Sequence, residues 1–250
     1  MRSLLLLLLV TPLASGFVAP RPLVARLVTP AASMLPEVAS SFQDATSSLL
    51  VAANEPLPSA LVAYTHYASL LVIMGALTTE RLSISNDMTP DDEQRAVVAD
   101  AIYGVAGLAL VVSGYYRATE FGKGWDFYSH EPLFWLKLTF VGVAGALSFF
   151  PTIVLTKRGI AWNQNDKVWP PQMSKALVKR MHSLINAELI AYLSIPLVAT
   201  TMARGVGYME NFPWQAGAAI VALATGGAGY KYIKEGLSWK EEEAAVSEEA

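Results

Sequence analysis

The chain has no cysteine, and only 16% of its 250 residues are charged. The first absence removes disulfides, thiolate metal sites, iron–sulfur clusters and cysteine nucleophiles together. The second is a real shortage, because an ordinary globular chain carries about 25% charged residues. The formal net charge is −3, which argues against nucleic acid as a partner, since phosphate neutralisation needs a basic patch. No segment alternates apolar and polar residues over about ten positions between turns, so the pattern of a membrane β-barrel is missing too.

What is present is apolar residue, 53% of the chain with a mean hydropathy of +0.38, and it is concentrated. The stretches 57–79, 96–116, 132–156, 181–203 and 212–230 together hold only three charged side chains, Asp100, Lys137 and Glu188. Each stretch is about as long as the ~20 residues that carry a helix across a ~30 Å hydrocarbon layer. The expected fold class is therefore all-α, a polytopic transmembrane helix bundle with a four-helix membrane domain over 57–205 and an additional transmembrane helix over 212–231. The lipid bilayer is the first partner of such a surface, and other membrane proteins or a second copy of the chain are the next.

Residues 1–16 read as a signal peptide: an apolar core follows Arg2 and gives way to Pro12, Ala14 and Ser15. The following Ala14-Ser15-Gly16-Phe17-Val18-Ala19-Pro20 resembles the motif, with a Phe just after signal cleavage, that marks plastid-targeted proteins of algae with complex, red-derived plastids. Residues 17–55 carry Arg21, Arg26, several Ser, Ala and Pro, and no acid before Glu37, a transit-like composition. Thr89-Pro90-Asp91-Asp92-Glu93 reads as an N-cap, a first-turn proline and an acidic opening turn, and Ser174 as a second cap. Lys and Arg gather on one set of loops, from Arg81 and Arg95 through 157–180 to 231–240. The positive-inside rule turns that end toward the stroma, the amino end toward the lumen or outer side, and leaves 235–250 as an acidic, disordered stromal tail. Gly104-Val105-Ala106-Gly107 and Gly142-Val143-Ala144-Gly145 are expected to let helix backbones approach closely.

An ionisable residue inside the bilayer costs at least ~2.5–3.5 kcal/mol and needs a reason. At a 1.5 Å rise per residue these residues sort into two levels. Glu80, Arg81, Asp100, His182 and Glu188 form a group toward the stromal side, read as an ion-paired latch between helices or as a proton relay. His66, Arg117, His130, Lys137 and Arg204 form the opposite group. Here the cofactor reading is haem or another tetrapyrrole, with neutral His66 on the iron and Lys137 and Arg117 meeting carboxylates; the plainer reading has His66 bonding a neighbouring helix and Lys137 snorkelling to the surface. No metal site beyond this is assigned.

Ala63-Tyr64-Thr65-His66-Tyr67, Thr79-Glu80-Arg81, Asp100-Ala101-Ile102-Tyr103-Gly104, Gly114-Tyr115-Tyr116-Arg117, the loop from Lys123 to Lys137, Pro151-Thr152 and Arg180-Met181-His182 through Glu188 follow one another in the order of a known pattern. Over 58–205 the chain resembles a family of four-helix bacterial and plastid membrane proteins of unknown function. That family is distantly similar to the copper-resistance membrane protein D and to haem-associated membrane protoporphyrinogen oxidases, and the likeness to the latter implies a His in the first helix and a Lys in the third. The leading expectation is a multi-pass protein of a plastid membrane, thylakoid or envelope, with a role in assembly or cofactor handling and no assigned catalysis. The alternatives are a haem- or tetrapyrrole-binding oxidoreductase at His66 and a small ion or proton transporter using Asp100 and Glu188.

Overall fold

A computed structural model describes residues 56–239. The signal-like and transit-like segments and the acidic tail from 240 onward lie outside the described residues. Among the described residues there are six helices and no strand: α1 Pro56–Ser83, α2 Pro90–Thr119, α3 Trp125–Ser129, α4 Pro132–Gln164, α5 Lys175–Ala203 and α6 Trp214–Ser238. Four of them, α1, α2, α4 and α5, are long and apolar enough to cross a membrane.

The helices outrun the apolar stretches because only their middles need lipid-compatible side chains, while their ends are fixed by capping. Thr89 accepts a hydrogen bond from the Asp92 amide (3.2 Å) as the Asp92 carboxylate accepts one from the Thr89 amide (3.0 Å), a reciprocal capping box with Pro90 behind it. Ser174 accepts from the Leu177 amide and opens α5 in the same way. Pro132 occupies the first turn of α4, where a missing amide proton is harmless.

Up-and-down connectivity gives the bundle two ends. The Lys/Arg-rich end holds the α1–α2 and α4–α5 turns and the close of α6; the aromatic-rich end holds α3, the start of α4 and the α5–α6 turn. The core around Ile73, Leu77, Phe150, Met181 and Ile185 is fully buried. Helix α4 is central, packed along both α5 and α6.

Two differences from expectation concern small residues and the last helix. Gly142 does sit in a close approach: a Cβ there would overlap Thr225 of α6. Gly104 and Gly107, however, face nothing within 4 Å, because α2 turns Ala99, Tyr103, Ala106, Leu110 and Ser113 to the interior. The inward stripe thus leaves these glycines outside it, and Asp100 lies on its flank. Helix α6 runs to Ser238 rather than ending near Tyr230, so Glu235, expected in the tail, is helical and pairs bidentately with Arg180 of α5 (2.6 and 2.8 Å).

Candidate functional site

The ionisable residues singled out in the bundle form two groups, one toward each end. Toward the aromatic-rich end, α1 presents His66 to α2. Its Nδ1 lies 3.0 Å from the Leu110 carbonyl and 3.1 Å from Ser113 Oγ. A carbonyl only accepts, so Nδ1 carries the proton; Ser113 gives its own to the Ala109 carbonyl at 2.6 Å. This choice of tautomer leaves Nε2 as a bare lone pair. The imidazole edge rests over Gly114, where a Cβ would stand 3.0 Å from Cε1, and that close approach is a reason for glycine in the Gly114-Tyr115-Tyr116-Arg117 run.

Lys137 and Arg117 lie within electrostatic reach of the imidazole. Arg117 stacks its guanidinium over the Tyr67 ring at 4.6 Å, and its buried Nη1 has no hydrogen-bond partner. Lys137 Nζ stands 5.1 Å from the Phe134 ring. No carboxylate among the described residues makes an ion pair with either cation. The group therefore combines one imidazole lone pair with two uncompensated positive charges, a set suited to an anion that also offers a Lewis-acidic centre.

His130 and Arg204, placed by the sequence at this level, bond within their own helix ends. His130 Nδ1 bonds the Asp126 carbonyl at 2.7 Å within α3 and its cap, and Arg204 bonds the Thr200 carbonyl at 3.0 Å on an exposed turn. The sequence reading did not single out Glu131. Its side chain is fully buried at the start of α4, and burial pushes its carboxyl above the ordinary value, partly offset by the Leu133 amide and Lys123. A lone acid between His130 and Pro132 at a helix start carries no signal of burial.

Toward the Lys/Arg-rich end, α1, α2 and α5 contribute Glu80, Asp100 and Glu188. Arg81 turns away from all three. Its Nε donates to Asn186 Oδ1 at 3.1 Å, and its Nη1 lies 3.0 Å from His182 Nε2. That nitrogen is also 2.8 Å from the Ile84 carbonyl; the guanidinium can only donate and the carbonyl only accept, so His182 serves one of them at a time. The expected ion-paired latch is thus, in the structure, an Arg81–His182–Asn186 clasp between α1 and α5, with the carboxyl groups apart from it. Asp100 accepts from Thr152 Oγ1 of α4 at 2.6 Å. Tyr103 and Tyr192, hydroxyl to hydroxyl at 3.2 Å, sit deeper and fully inside. The sequence could not place that pair, because 89 positions separate the two residues.

With this geometry in view, one comparison decides the relationship. The family model described as Predicted membrane protein (DUF2214) matches residues 58–207. The chain belongs to this family. The DUF2214 region holds every residue of both ionisable groups and ends after α5, so α6 lies outside it. No curated protein and no solved structure matches the chain, and the roles of the DUF2214 residues are accordingly argued from their geometry.

Proposed function

We propose that the protein is a multi-pass component of a plastid membrane that handles a tetrapyrrole, whose metal His66 would hold and whose carboxylates Arg117 and Lys137 would meet. One observation carries this reading: the Leu110 carbonyl holds the Nδ1 proton of His66 and leaves Nε2 free, the arrangement in which a histidine ligates a metal through one nitrogen while the other is oriented by a carbonyl. The orphaned Nη1 of Arg117 supports it, because a buried charged donor without a partner is expensive unless a ligand completes it. A bound haem would supply redox or oxygen chemistry of its own; what the chain supplies is an oriented ligand and two counter-charges. The Ala14–Pro20 motif around Phe17 supports the plastid assignment, and the excess of Lys and Arg favours the stroma for that end of the bundle.

Absorption spectroscopy tests the reading. The full chain, purified in detergent and given haem, is expected to show a Soret band that disappears in His66→Ala and weakens in Arg117→Gln, with unchanged far-ultraviolet circular dichroism. Wild-type protein without a Soret band, or His66→Ala with the wild-type band, sinks the haem assignment. For the location, a fluorescent fusion of residues 1–54 should enter the plastid and Phe17→Ala should divert it; retention of the native fusion in the endoplasmic reticulum would overturn the targeting.

A further inference from the structure

The other ionisable group is independent of the His66 site. Glu80 of α1 and Glu188 of α5 are each only 1% exposed, and together with Asp100 of α2 they lie within electrostatic reach of one another. No lysine, arginine or histidine among the described residues forms an ion pair with any of the three. Acids gathered in this way are not by themselves a site, but two further observations point to what they hold. Glu80 Oε1 and both oxygens of Glu188 close no hydrogen bond, although the Tyr103 hydroxyl faces Glu188. In addition, a cavity of about 510 Å³ between α2 and α4 reaches Asp100, and its walls include Gln94, Thr156, Asn163 and Gln164 near the Lys/Arg-rich end.

A buried carboxylate needs a cation, a set of donors or a proton. No fixed cation among the described residues pairs with Glu188, and the Tyr103 hydroxyl that faces it is shared with Tyr192. Among the described residues no three His, Cys, Asp or Glu side chains come together closely enough to hold a metal ion, which leaves the proton. The inner end of the group is closed by the Tyr103–Tyr192 hydroxyl pair. Beyond Tyr103, α2 presents only apolar or glycine side chains until Ser113, whose hydroxyl is committed to the Ala109 carbonyl.

We infer that Asp100, Glu80 and Glu188 form a one-sided proton well, filled through Asp100 from the water at the Lys/Arg-rich end and shut toward the opposite end. A hydronium gives its proton to the Asp100 carboxylate; Asp100 passes a proton inward to Glu188 or Glu80 and is left as it was. The net change is one proton taken up and one carboxylate neutralised, and release reverses the same steps. Thr152 orients Asp100 by donating to Oδ1. Arg81 and His182, the nearest charged and titratable groups of the clasp, face each other rather than the well, and Tyr103 and Tyr192 complete its inner wall.

Infrared spectroscopy of the full chain in phospholipid vesicles reads the well directly. The wild type should show a protonated-carboxyl stretching band at neutral pH that shifts in heavy water. Glu188→Gln should remove most of the band, and Asp100→Asn should keep the Glu188 signal while slowing its shift. Vesicles enclosing a pH dye should take up no more protons than empty ones, because the well does not cross the membrane. Absence of the band in wild type, an Asp100→Asn shift as fast as wild type, or proton conduction across the vesicles would each overturn the inference. If Glu188→Gln does not fold, the exchange rate in Asp100→Asn decides, since Asp100 lies at the half-buried mouth. Haem binding is read separately and stays as it is whichever way this result falls.

Discussion

Arg158→Met is expected to destabilise the protein by about 3–5 kcal/mol, the range seen when one partner of a buried ion pair is removed and its charge is left behind. The Glu93 side chain is 4% exposed and that of Arg158 9%. Arg158 Nε and Nη2 donate to the two Glu93 oxygens at 3.1 and 2.5 Å, and Nη2 also reaches the Pro170 and Pro171 carbonyls at 3.3 and 2.9 Å. One guanidinium thus joins the first turn of α2, the last turns of α4 and the prolines that lead into α5. Methionine has the length to fill the space but no donor, so the Glu93 carboxylate and two carbonyls would lose their partners at once. Converting both residues, Glu93→Leu with Arg158→Met, removes the charge as well as its partner, and most of the loss should return. Equilibrium unfolding in mixed micelles checks both statements. A single variant within about 1 kcal/mol of wild type would show that the pair is solvated and its burial energetically idle.

The fold was legible in the sequence where one physical requirement dominates. Lipid demands apolar side chains over a fixed length, so all four helices of the membrane domain lie where the apolar stretches are, and Thr89 and Ser174 mark starts because their side chains replace missing intrahelical acceptors. The side chains' partners were less legible, for reasons visible at Glu80 and Arg81. Adjacent residues on a helix point about 100° apart, so this acid and base, side by side in sequence, do not face each other: Glu80 enters the core while Arg81 crosses to Asn186 and His182. The repeated Gly-Val-Ala-Gly tetrapeptide makes the same point. In α4 its first glycine admits Thr225, whereas in α2 the glycines meet no neighbour, because the rotation of each helix is set by its whole apolar face. Pairs such as Glu93 with Arg158, or Tyr103 with Tyr192, depend on contacts between distant helices, and no local spacing encodes them. The separation into two levels was partly visible, since depth along a helix can be counted even when facing cannot. Counting put His66, Lys137 and Arg117 at one level and Glu80, Asp100 and Glu188 at another. What it could not supply was the bare Nε2 of His66 or the missing partners of Glu188.

Gly217→Leu is expected to lift the first turns of α6 away from α4. In lipid, helix association has no hydrophobic drive and depends on close backbone approach, and α6 approaches α4 through a ladder of small residues. Gly217 meets Trp135, Thr225 meets Gly142, Gly229 meets Phe149 and Gly236 meets Ile153, so the two helices run parallel and share the same depth. Helix α6, expected from the sequence as an additional span, is not among the four helices long and apolar enough to cross a membrane, and this contact with α4 is what seats it. At Gly217 even a Cβ would overlap the Trp135 ring. The ring has little room to retreat: its Nε1 donates to the Ser129 carbonyl at 2.9 Å, and Phe134 and Trp125 pack against it edge-on. Overpacking therefore has to be relieved by moving α6, at a cost of about 3 kcal/mol, the upper part of the usual range for inserted bulk. The far end should hold, because Lys157 donates to the Gly236 and Leu237 carbonyls and Arg180 grips Glu235. With no native cysteine to compete, spin labels on cysteines placed at the exposed positions Leu136 and Ile220 report the separation cleanly. A second pair near Ile160 and Leu237 serves as the fixed reference. The first distance should widen and broaden in Gly217→Leu while the second keeps its wild-type value. An unchanged first distance together with unchanged unfolding would mean that Trp135 swings aside, and that the glycine at 217 is not what seats the helix.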